Sequence, residues 1–291
     1  MQRKGIILAG GSGTRLHPST ISVSKQLMPV FDKPMIYYPL SVLMNAGLRE
    51  VLIITTPHDQ AAFINLLGDG SKWGMELTYA AQPSPDGLAQ ALIIGEDYLD
   101  GAPSALILGD NLFFGSTFSE SVMVANARET GATVFGYEVG NPSEYGVVGF
   151  DNNHKAVSLE EKPDNPASNY AVTGLYFYDN RASEFAKQVK PSARGELEIT
   201  ALNEIYLKNG ALNVELLGSG TTWLDTGTHR ALLQAAQFVS VIESRQGKRI
   251  CCPEIEAYQN GWINADQLKN LAIALSKSGY GKYFLKVLAQ E

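Results

Sequence analysis

Short apolar runs alternate with amphipathic stretches through the first two-thirds of the chain, and this alternation limits the fold more than any other feature of the sequence. The apolar runs predict strands, and apolar residues spaced three or four positions apart predict helices. The predicted strands cover residues 5–9, 51–55, 77–80 and 105–108, and the predicted helices cover 35–45, 58–67, 88–98 and 118–128. We therefore expect an α/β fold with a doubly wound, mainly parallel sheet.

The pattern changes after residue 132. Closely spaced runs around Val134, Val147, Val157 and Tyr176 predict further strands that flank a Rossmann-like core. Beyond about His229, apolar residues at helical spacing predict a C-terminal helical cap, with helices over 231–245, 265–275 and 281–288. The cap's many apolar residues also suggest a role in subunit contact.

Composition excludes several classes of function. The chain has 291 residues, of which 45% are hydrophobic, enough for one large core. It carries 23 basic and 30 acidic residues, a net charge of −7, and no basic run, which argues against nucleic acid as a partner. With no apolar run of about 20 residues and no leader pattern, we expect a cytoplasmic protein with no membrane contact.

The cysteines and histidines offer little chemistry. Cys251 and Cys252 are adjacent, a spacing that rarely allows a disulfide between them, so we expect free thiols. The four histidines are too scattered for a zinc site built on histidine.

A glycine-rich loop follows the first predicted strand, where α/β folds bind ligands. Residues 8–18 read LAGGSGTRLHP. A dinucleotide motif would need glycine at Leu16, and a P-loop would need a lysine much nearer to the glycines than Lys25. What remains is a phosphate loop with Arg15 as its own cation and Lys25 arriving from the next segment, a pair that suits a triphosphate. The alternative is an ordinary turn with two solvated cations beside it.

Two aspartates stand just after apolar runs. Asp110 follows the strand over 105–108, and Asp225 ends a second short apolar run in TWLDTGTH. Mg²⁺ prefers one or two carboxylates and completes its shell with water and phosphate oxygens. The pair therefore indicates a magnesium site, although aspartate is also common in turns and at helix N-caps.

The segments LEEKPDNP and ARGELEIT carry charges suited to a sugar phosphate. Glu161 can accept hydrogen bonds from sugar hydroxyls, and Lys162 and Arg194 can fix a phosphate monoester. A solvated cluster of charges is the alternative interpretation.

The loop LAGGSGTRLHP followed by KQLMPVFDKPMIYYPL closely resembles the signature of the nucleotidylyltransferases that activate sugar phosphates. The resemblance covers nearly the whole chain, including the helical region typical of the long bacterial thymidylyltransferase branch. It implies that dTTP and glucose 1-phosphate are converted to dTDP-glucose and pyrophosphate, with Mg²⁺, by a homotetramer, as the first step of dTDP-sugar synthesis. A uridylyltransferase and a non-catalytic regulator that binds nucleotide sugars are the alternatives.

The same resemblance implies roles for individual residues. The catalytic residues would be Arg15, Lys25, Asp110 and Asp225, of which the two aspartates hold the metal. The nucleotide contacts would be Leu8, Gly10, Gly11, Ser12, Gly13, Thr14, Arg15, Gln26, Gln82, Pro85, Gly87 and Asp110. The sugar-phosphate contacts would be Asn111, Tyr145, Gly146, Glu161, Lys162, Val172, Tyr176, Arg194 and Trp223. A catalytic domain would span 1–229, with a nucleotide half (about 1–132) and a sugar-phosphate half (about 133–229), and the cap 230–291.

The family that the chain resembles also has a regulatory nucleotide site at a subunit interface, and here the sequence departs from the family pattern. Phe114 replaces a tyrosine before Gly115, Ser219 stands where an arginine is expected, and Gln259 stands near the place of another expected arginine. Because fewer cations bind an anionic nucleotide less tightly, we expect dTDP-rhamnose to inhibit weakly or in an altered manner.

Overall fold

The computed structural model describes residues 1–11 and 13–290. Its strands are β1 (Lys4–Ala9), β2 (Pro29–Val30), β3 (Lys33–Pro34), β4 (Glu50–Thr55), β5 (Glu76–Ala81), β6 (Ser104–Leu108), β7 (Asn111–Gly115), β8 (Ala132–Glu138), β9 (Gly146–Phe150), β10 (Ala156–Glu161), β11 (Tyr170–Tyr178), β12 (Leu212–Leu217) and β13 (Thr221–Asp225). Its helices are α1 (Tyr37–Asn45), α2 (Gln60–Leu67), α3 (Gln90–Ile94), α4 (Glu96–Leu99), α5 (Phe118–Ala127), α6 (Ala182–Ala186), α7 (Ile199–Lys208), α8 (His229–Gln246), α9 (Pro253–Gln259), α10 (Ala265–Ala274) and α11 (Gly279–Leu288).

A parallel group of strands forms the centre of the molecule. The main sheet has the order β10-β9-β11-β6-β1-β4-β5, and β8 and β12 continue it beside β11. In β1, the fully buried Ile7 lies in register with Ile53 of β4 and Ile107 of β6. Because these strands are parallel, their carboxyl ends meet at one edge of the sheet, directly before the glycine loop and Asp110.

The strands after residue 132 join this sheet mainly in antiparallel fashion. β11 pairs antiparallel with β6, β8 and β9, whereas β12 runs parallel to β8. The predicted fold class is confirmed: a mixed, mostly parallel sheet with helices around it, flanking strands and a C-terminal helical region.

A separate two-stranded ribbon lies beside the main sheet. β7 and β13 pair antiparallel, and Asn111 lies opposite Asp225. The sequence did not predict β7, because its partner is about 110 residues further along the chain and the segment has no alternation of its own. This ribbon brings the segment after β6 next to the end of β13.

One predicted helix is wrong in its extent. Residues 88–98 form two short helices, α3 and α4, that are separated at Gly95. Helices α6, α7 and α9 were not predicted from the sequence.

The C-terminal helices pack on the same core as the sheet. Cys252, Ile255 and Phe284 belong to the buried cluster that contains Ile53 of β4 and Ile107 of β6. Both cysteines are free thiols. None of the helices in the described part of the chain has the length and apolar character needed to cross a bilayer.

A cluster of four charged side chains ties α8 to the β2–β3 hairpin, with Lys33 and Glu243 buried and Asp32 and Arg249 half-buried. Glu243 accepts hydrogen bonds from Lys33 Nζ at 2.9 Å and from Arg249 Nη1 at 2.5 Å, and Asp32 pairs with both cations. Burial acts to lower the pKa of Lys33, but the carboxylates of Asp32 and Glu243 outweigh it and raise that pKa. The hairpin begins two residues after the segment that carries Lys25, so the cluster also fixes one end of that segment.

Replacing Glu243 with glutamine tests this cluster. The change keeps the shape but removes the charge that compensates Lys33 and Arg249, and we expect a loss of about 3 kcal/mol in unfolding free energy, the size typical for a broken buried pair. Chemical denaturation at fixed protein concentration measures it. Glu204→Gln is the matched control, because Glu204 pairs with Lys208 in solvent and should cost less than about 1 kcal/mol. Equal losses in the two variants would contradict a stabilising role.

Glu256 on α9 gives a pH-dependent contribution to stability. Burial raises its pKa from 4.5 to about 7, although hydrogen bonds with Asn45 and the Cys252 backbone oppose the shift. The folded chain therefore retains a proton that the unfolded chain has lost, and this contribution to stability falls as pH rises from about 4.5 to about 7. We expect Glu256→Gln to melt above wild type at pH 8 and level with it near pH 4.5. The exposed Glu129→Gln is the control, and an offset that does not change with pH would refute the assignment.

Candidate active site

A cleft of about 660 Å³ opens at the carboxyl edge of the sheet, between the glycine loop and strands β9 to β11. Most of the residues that the sequence predicted for the site line it: Leu8, Gly11, Gly13, Thr14, Arg15, Lys25, Gln26, Gln82, Pro85, Gly87, Asp110, Asn111, Tyr145, Gly146, Glu161, Lys162, Val172, Tyr176, Arg194, Trp223 and Asp225. Gly10 is not among the lining residues, and Ser12 lies outside the described residues. The two halves of the predicted site therefore face one cavity.

Lys25 and Asp110 form an ion pair at the base of the cleft. Lys25 lies in a short 3₁₀ turn, Lys25–Leu27, and is only 7% exposed. Burial acts to raise the pKa of Asp110, but the ammonium of Lys25 and the amide of Asn111 outweigh it and lower that pKa. Asp110 therefore stays ionised over the physiological range of pH.

Asp225 is held beside Asp110 by backbone contacts. The fully buried Thr226 donates from its backbone N–H at 3.3 Å and from its hydroxyl at 2.9 Å to the carbonyl of Asp110. Burial and the negative charge of Asp110 raise the pKa of Asp225 to about 6, although Lys25 and Arg15 act in the opposite direction. The negative charge of Asp110 is therefore compensated by Lys25, whereas that of Asp225 is only partly compensated.

Gln82 lies under the glycine loop and is only 4% exposed. Its Nε2 donates to Gln90 Oε1 at 2.6 Å and to the Gly87 carbonyl at 3.3 Å. Its Oε1 faces Gly10, where an added Cβ would lie only 2.4 Å from that oxygen. Gly10 thus packs against Gln82 and lets the loop lie close to it.

On the opposite side of the cleft, Arg194 lies among carboxylates. Its Nη2 is 2.9 Å from Glu198, 3.4 Å from Glu161 and 3.7 Å from Glu196. Glu161 also accepts a hydrogen bond from the Thr200 hydroxyl at 2.7 Å. Lys162 is exposed, with a left-handed backbone (φ 47°) that turns the chain beside the cavity.

Comparison with known proteins agrees with this geometry. The family model described as nucleotidyl transferase matches residues 4–241. The chain belongs to the nucleotidyl transferase family. It is 61% identical to the glucose-1-phosphate thymidylyltransferase of Xanthomonas campestris pv. campestris strain B100, covering 97% of this chain and 96% of that protein. It is 59% identical to the glucose-1-phosphate thymidylyltransferase of Neisseria meningitidis serogroup A, covering 98% and 99%.

Solved structures show the same fold as this nucleotidyl transferase. A Bacillus anthracis protein, described as a candidate glucose-1-phosphate thymidylyltransferase and solved in complex with sucrose, matches with a TM-score of 0.74 and 40% identity, covering 81% of this chain and 94% of that one. A UDP-glucose pyrophosphorylase complexed with UDP-glucose matches with a TM-score of 0.74 at 23% identity, covering 83% and 100%. At that identity, the second match supports the fold alone.

The residues present in this nucleotidyl transferase fit a magnesium ion. Asp110 and Asp225 supply carboxylate oxygens, the ligands that Mg²⁺ prefers, and the raised pKa of Asp225 reflects negative charge that a cation would offset. Among residues 1–11 and 13–290, no group of three or more histidine, cysteine or acidic side chains forms a closed metal cage. Water and substrate oxygens would therefore complete the shell.

Several residues that line the cleft were not predicted. They are Leu16, Leu88, Leu108, Glu144, Gly174, Glu196, Glu198, Ile199, Thr200 and Gly227. Glu196, Glu198 and Thr200 stand in the same ARGELEIT segment as Arg194, so alternating polar residues on that stretch were an available signal. Gly174 carried no such signal, because its place depends on the pairing of β11 with other strands.

Proposed function

We propose that this chain is a magnesium-dependent enzyme that transfers the thymidylyl group of dTTP to glucose 1-phosphate, giving dTDP-glucose and pyrophosphate. The observation that carries the proposal is the convergence of Arg15, Lys25, Asp110 and Asp225 on one cleft. The high identity to named glucose-1-phosphate thymidylyltransferases over nearly the full length supports this choice of substrates.

The reaction is an in-line displacement at phosphorus. A phosphate oxygen of glucose 1-phosphate attacks the α-phosphorus of dTTP, and the bond from that phosphorus to the bridging oxygen of the β-phosphate breaks. Pyrophosphate leaves with the electron pair. Because the attacking oxygen is already anionic, no general base is needed, and catalysis rests on positioning and neutralisation of charge.

Different residues of the cleft neutralise charge and position the substrates. Arg15 and Lys25 stabilise negative charge on the α-phosphoryl group and on the leaving pyrophosphate. A magnesium ion held by Asp110 and Asp225 would supply further neutralisation of charge at the phosphates. Lys162 and Arg194 orient the sugar phosphate from the other side, while Glu161 accepts hydrogen bonds from sugar hydroxyls.

Gln82 favours a base with an N–H at position 3. Its amide N–H groups already bond to Gln90 and Gly87, which leaves Oε1 as the acceptor that remains for a base. Thymine and uracil can donate to that oxygen from N3, whereas cytosine cannot. Between thymine and uracil only the methyl group differs, which is worth about 1–3 kcal/mol in a pocket.

Substrate selectivity tests the proposal directly. We expect pyrophosphate release with glucose 1-phosphate and Mg²⁺ to be fastest with dTTP, slower with UTP and weak with CTP and ATP. Asp110→Asn should lower turnover roughly 100- to 1,000-fold, the size of the loss when one preorganised electrostatic group is removed from an active site. The exposed Asp266→Asn makes the same charge change in the cap and should leave turnover unaltered. Equal rates with UTP would overturn the choice of base, and no turnover with any nucleotide would overturn the reaction class.

We also propose that the enzyme is a homotetramer with a weakened regulatory site. Phe114 packs edge-on against Phe238 at 5.7 Å, while Ser219 and Gln259 are exposed and uncharged. Exposed apolar side chains on α8, Leu233 and Val241, support a subunit contact along that helix.

The weakened site gives a measurable expectation. Titration of dTDP-rhamnose into initial-rate assays should show weak or altered inhibition, because two expected cations are missing from the site. Restoring both, as Ser219→Arg with Gln259→Arg, should tighten it. Tight inhibition of the unchanged chain would contradict this expectation.

A further inference from the structure

Asn111 is the first residue of β7, directly after Asp110 and opposite Asp225 of β13, and it is only 2% exposed. Its Oδ1 accepts a hydrogen bond from Trp223 Nε1 at 2.6 Å and another from the backbone N–H of Gly174 at 3.1 Å. An indole N–H and a backbone N–H can only donate, so the atom that faces them must be the carbonyl oxygen. The two donors therefore fix which way the amide points.

The other end of the amide faces the carboxylate of Asp110, a proposed metal ligand. Asn111 Nδ2 donates to Asp110 Oδ1 at 2.9 Å, while Lys25 pairs with Asp110 Oδ2. A flipped amide would place its oxygen against the carboxylate and lose all three hydrogen bonds. The orientation of Asp110 thus depends on donors that do not touch it.

The surrounding structure holds this relay, the chain of hydrogen bonds from Trp223 through Asn111 to Asp110, in place. Trp223 packs edge-on against Tyr145 at 5.2 Å and Tyr137 at 5.8 Å, which fixes the plane of the indole. A Cβ at Gly174 would lie 2.6 Å from Asn111 Oδ1, so a glycine is needed for this approach. In β13, Trp223 and Asp225 are two residues apart and so point to the same side of the strand.

We infer that Asn111 and Trp223 are positioning residues for Asp110: Trp223 sets the Asn111 amide, and the amide sets the carboxylate. One strand, β13, then positions both carboxylates, Asp225 directly and Asp110 through Trp223 and Asn111. This assignment differs from the sequence prediction, which gave both residues to the sugar phosphate, and it rests on the proposed function for its kinetic readout.

Trp223→Phe tests the relay, because it removes the indole N–H and retains an aromatic ring. We expect Mn²⁺ affinity of the nucleotide-free enzyme to fall about 10-fold, as observed when partners that orient metal ligands are lost. The electron paramagnetic resonance signal of free Mn²⁺ measures it. In steady-state assays, kcat should fall about 10-fold while the KM for glucose 1-phosphate stays within about two-fold.

Trp73→Phe is the matched control. Trp73 is fully buried, and its indole nitrogen has no hydrogen-bond partner among the residues that the structure describes. The same change there removes the same atoms without touching the relay, so it should leave Mn²⁺ affinity and KM at wild-type values. Thermal unfolding of both variants separates lost stability from lost positioning.

Asn111→Asp serves as a second, isosteric variant should Trp223→Phe fold poorly. Its carboxylate still accepts from Trp223 and Gly174 but cannot donate to Asp110, so kcat should fall further than in Trp223→Phe. The inference is overturned if Mn²⁺ affinity in Trp223→Phe equals that of Trp73→Phe, or if the KM for glucose 1-phosphate rises while kcat is retained. If the wild type binds Mn²⁺ but shows no turnover, the proposed function is rejected. The relay is then tested by the difference in Mn²⁺ affinity between Trp223→Phe and Trp73→Phe.

Discussion

The structure of the site depends on keeping two half-buried carboxylates, Asp110 and Asp225, close together. Like charges at short range in a poorly solvated place repel, and the raised pKa of Asp225 records that cost. Local structure overcomes the repulsion, because Thr226 donates to the carbonyl of Asp110 from both its backbone N–H and its hydroxyl, and β13 pairs with β7 in a fixed register. The electrostatic repulsion is confined to the place where a bound cation would relieve it.

The two carboxylates differ in their environments. Asp110 has Lys25 as a partner and an amide from Asn111, so its charge is compensated before any ligand arrives. Asp225 has only the more distant influence of Lys25 and Arg15 and a backbone N–H from Gly227. Because Lys25 is already paired with Asp110 and the whole chain carries a net charge of −7, a polyphosphate would depend on Arg15 and on a metal ion at the two carboxylates to offset its charge.

Much of the fold could be predicted from local patterns. Strands β1, β4, β5 and β6 follow from short apolar runs, and their parallel arrangement follows from the helices between them. The pairing of β7 with β13 could not be predicted in this way, because it joins segments far apart in the chain. The alternation that defines a strand says nothing about which distant strand it will meet.

The same distinction between local patterns and distant pairing applies to the candidate site. Arg15, Lys25, Asp110 and Asp225 stand in recognisable motifs, so the sequence could name them. The orientation of the Asn111 amide could not be named, because it follows from one N–H on β13 and another on β11. A motif gives the identity of a side chain, whereas its direction is set by neighbours that arrive only through tertiary pairing.

The charged cluster of Asp32, Lys33, Glu243 and Arg249 extends this reasoning to the cap. It fixes the β2–β3 hairpin against α8 at a point that directly follows the segment of Lys25. The cap is thereby linked to one end of the segment that carries Lys25. At the other end of the site, α8 begins at His229, shortly after Asp225, the last residue of β13. The C-terminal helices are thus connected to Lys25 through the β2–β3 hairpin and to Asp225 through the short segment between β13 and α8.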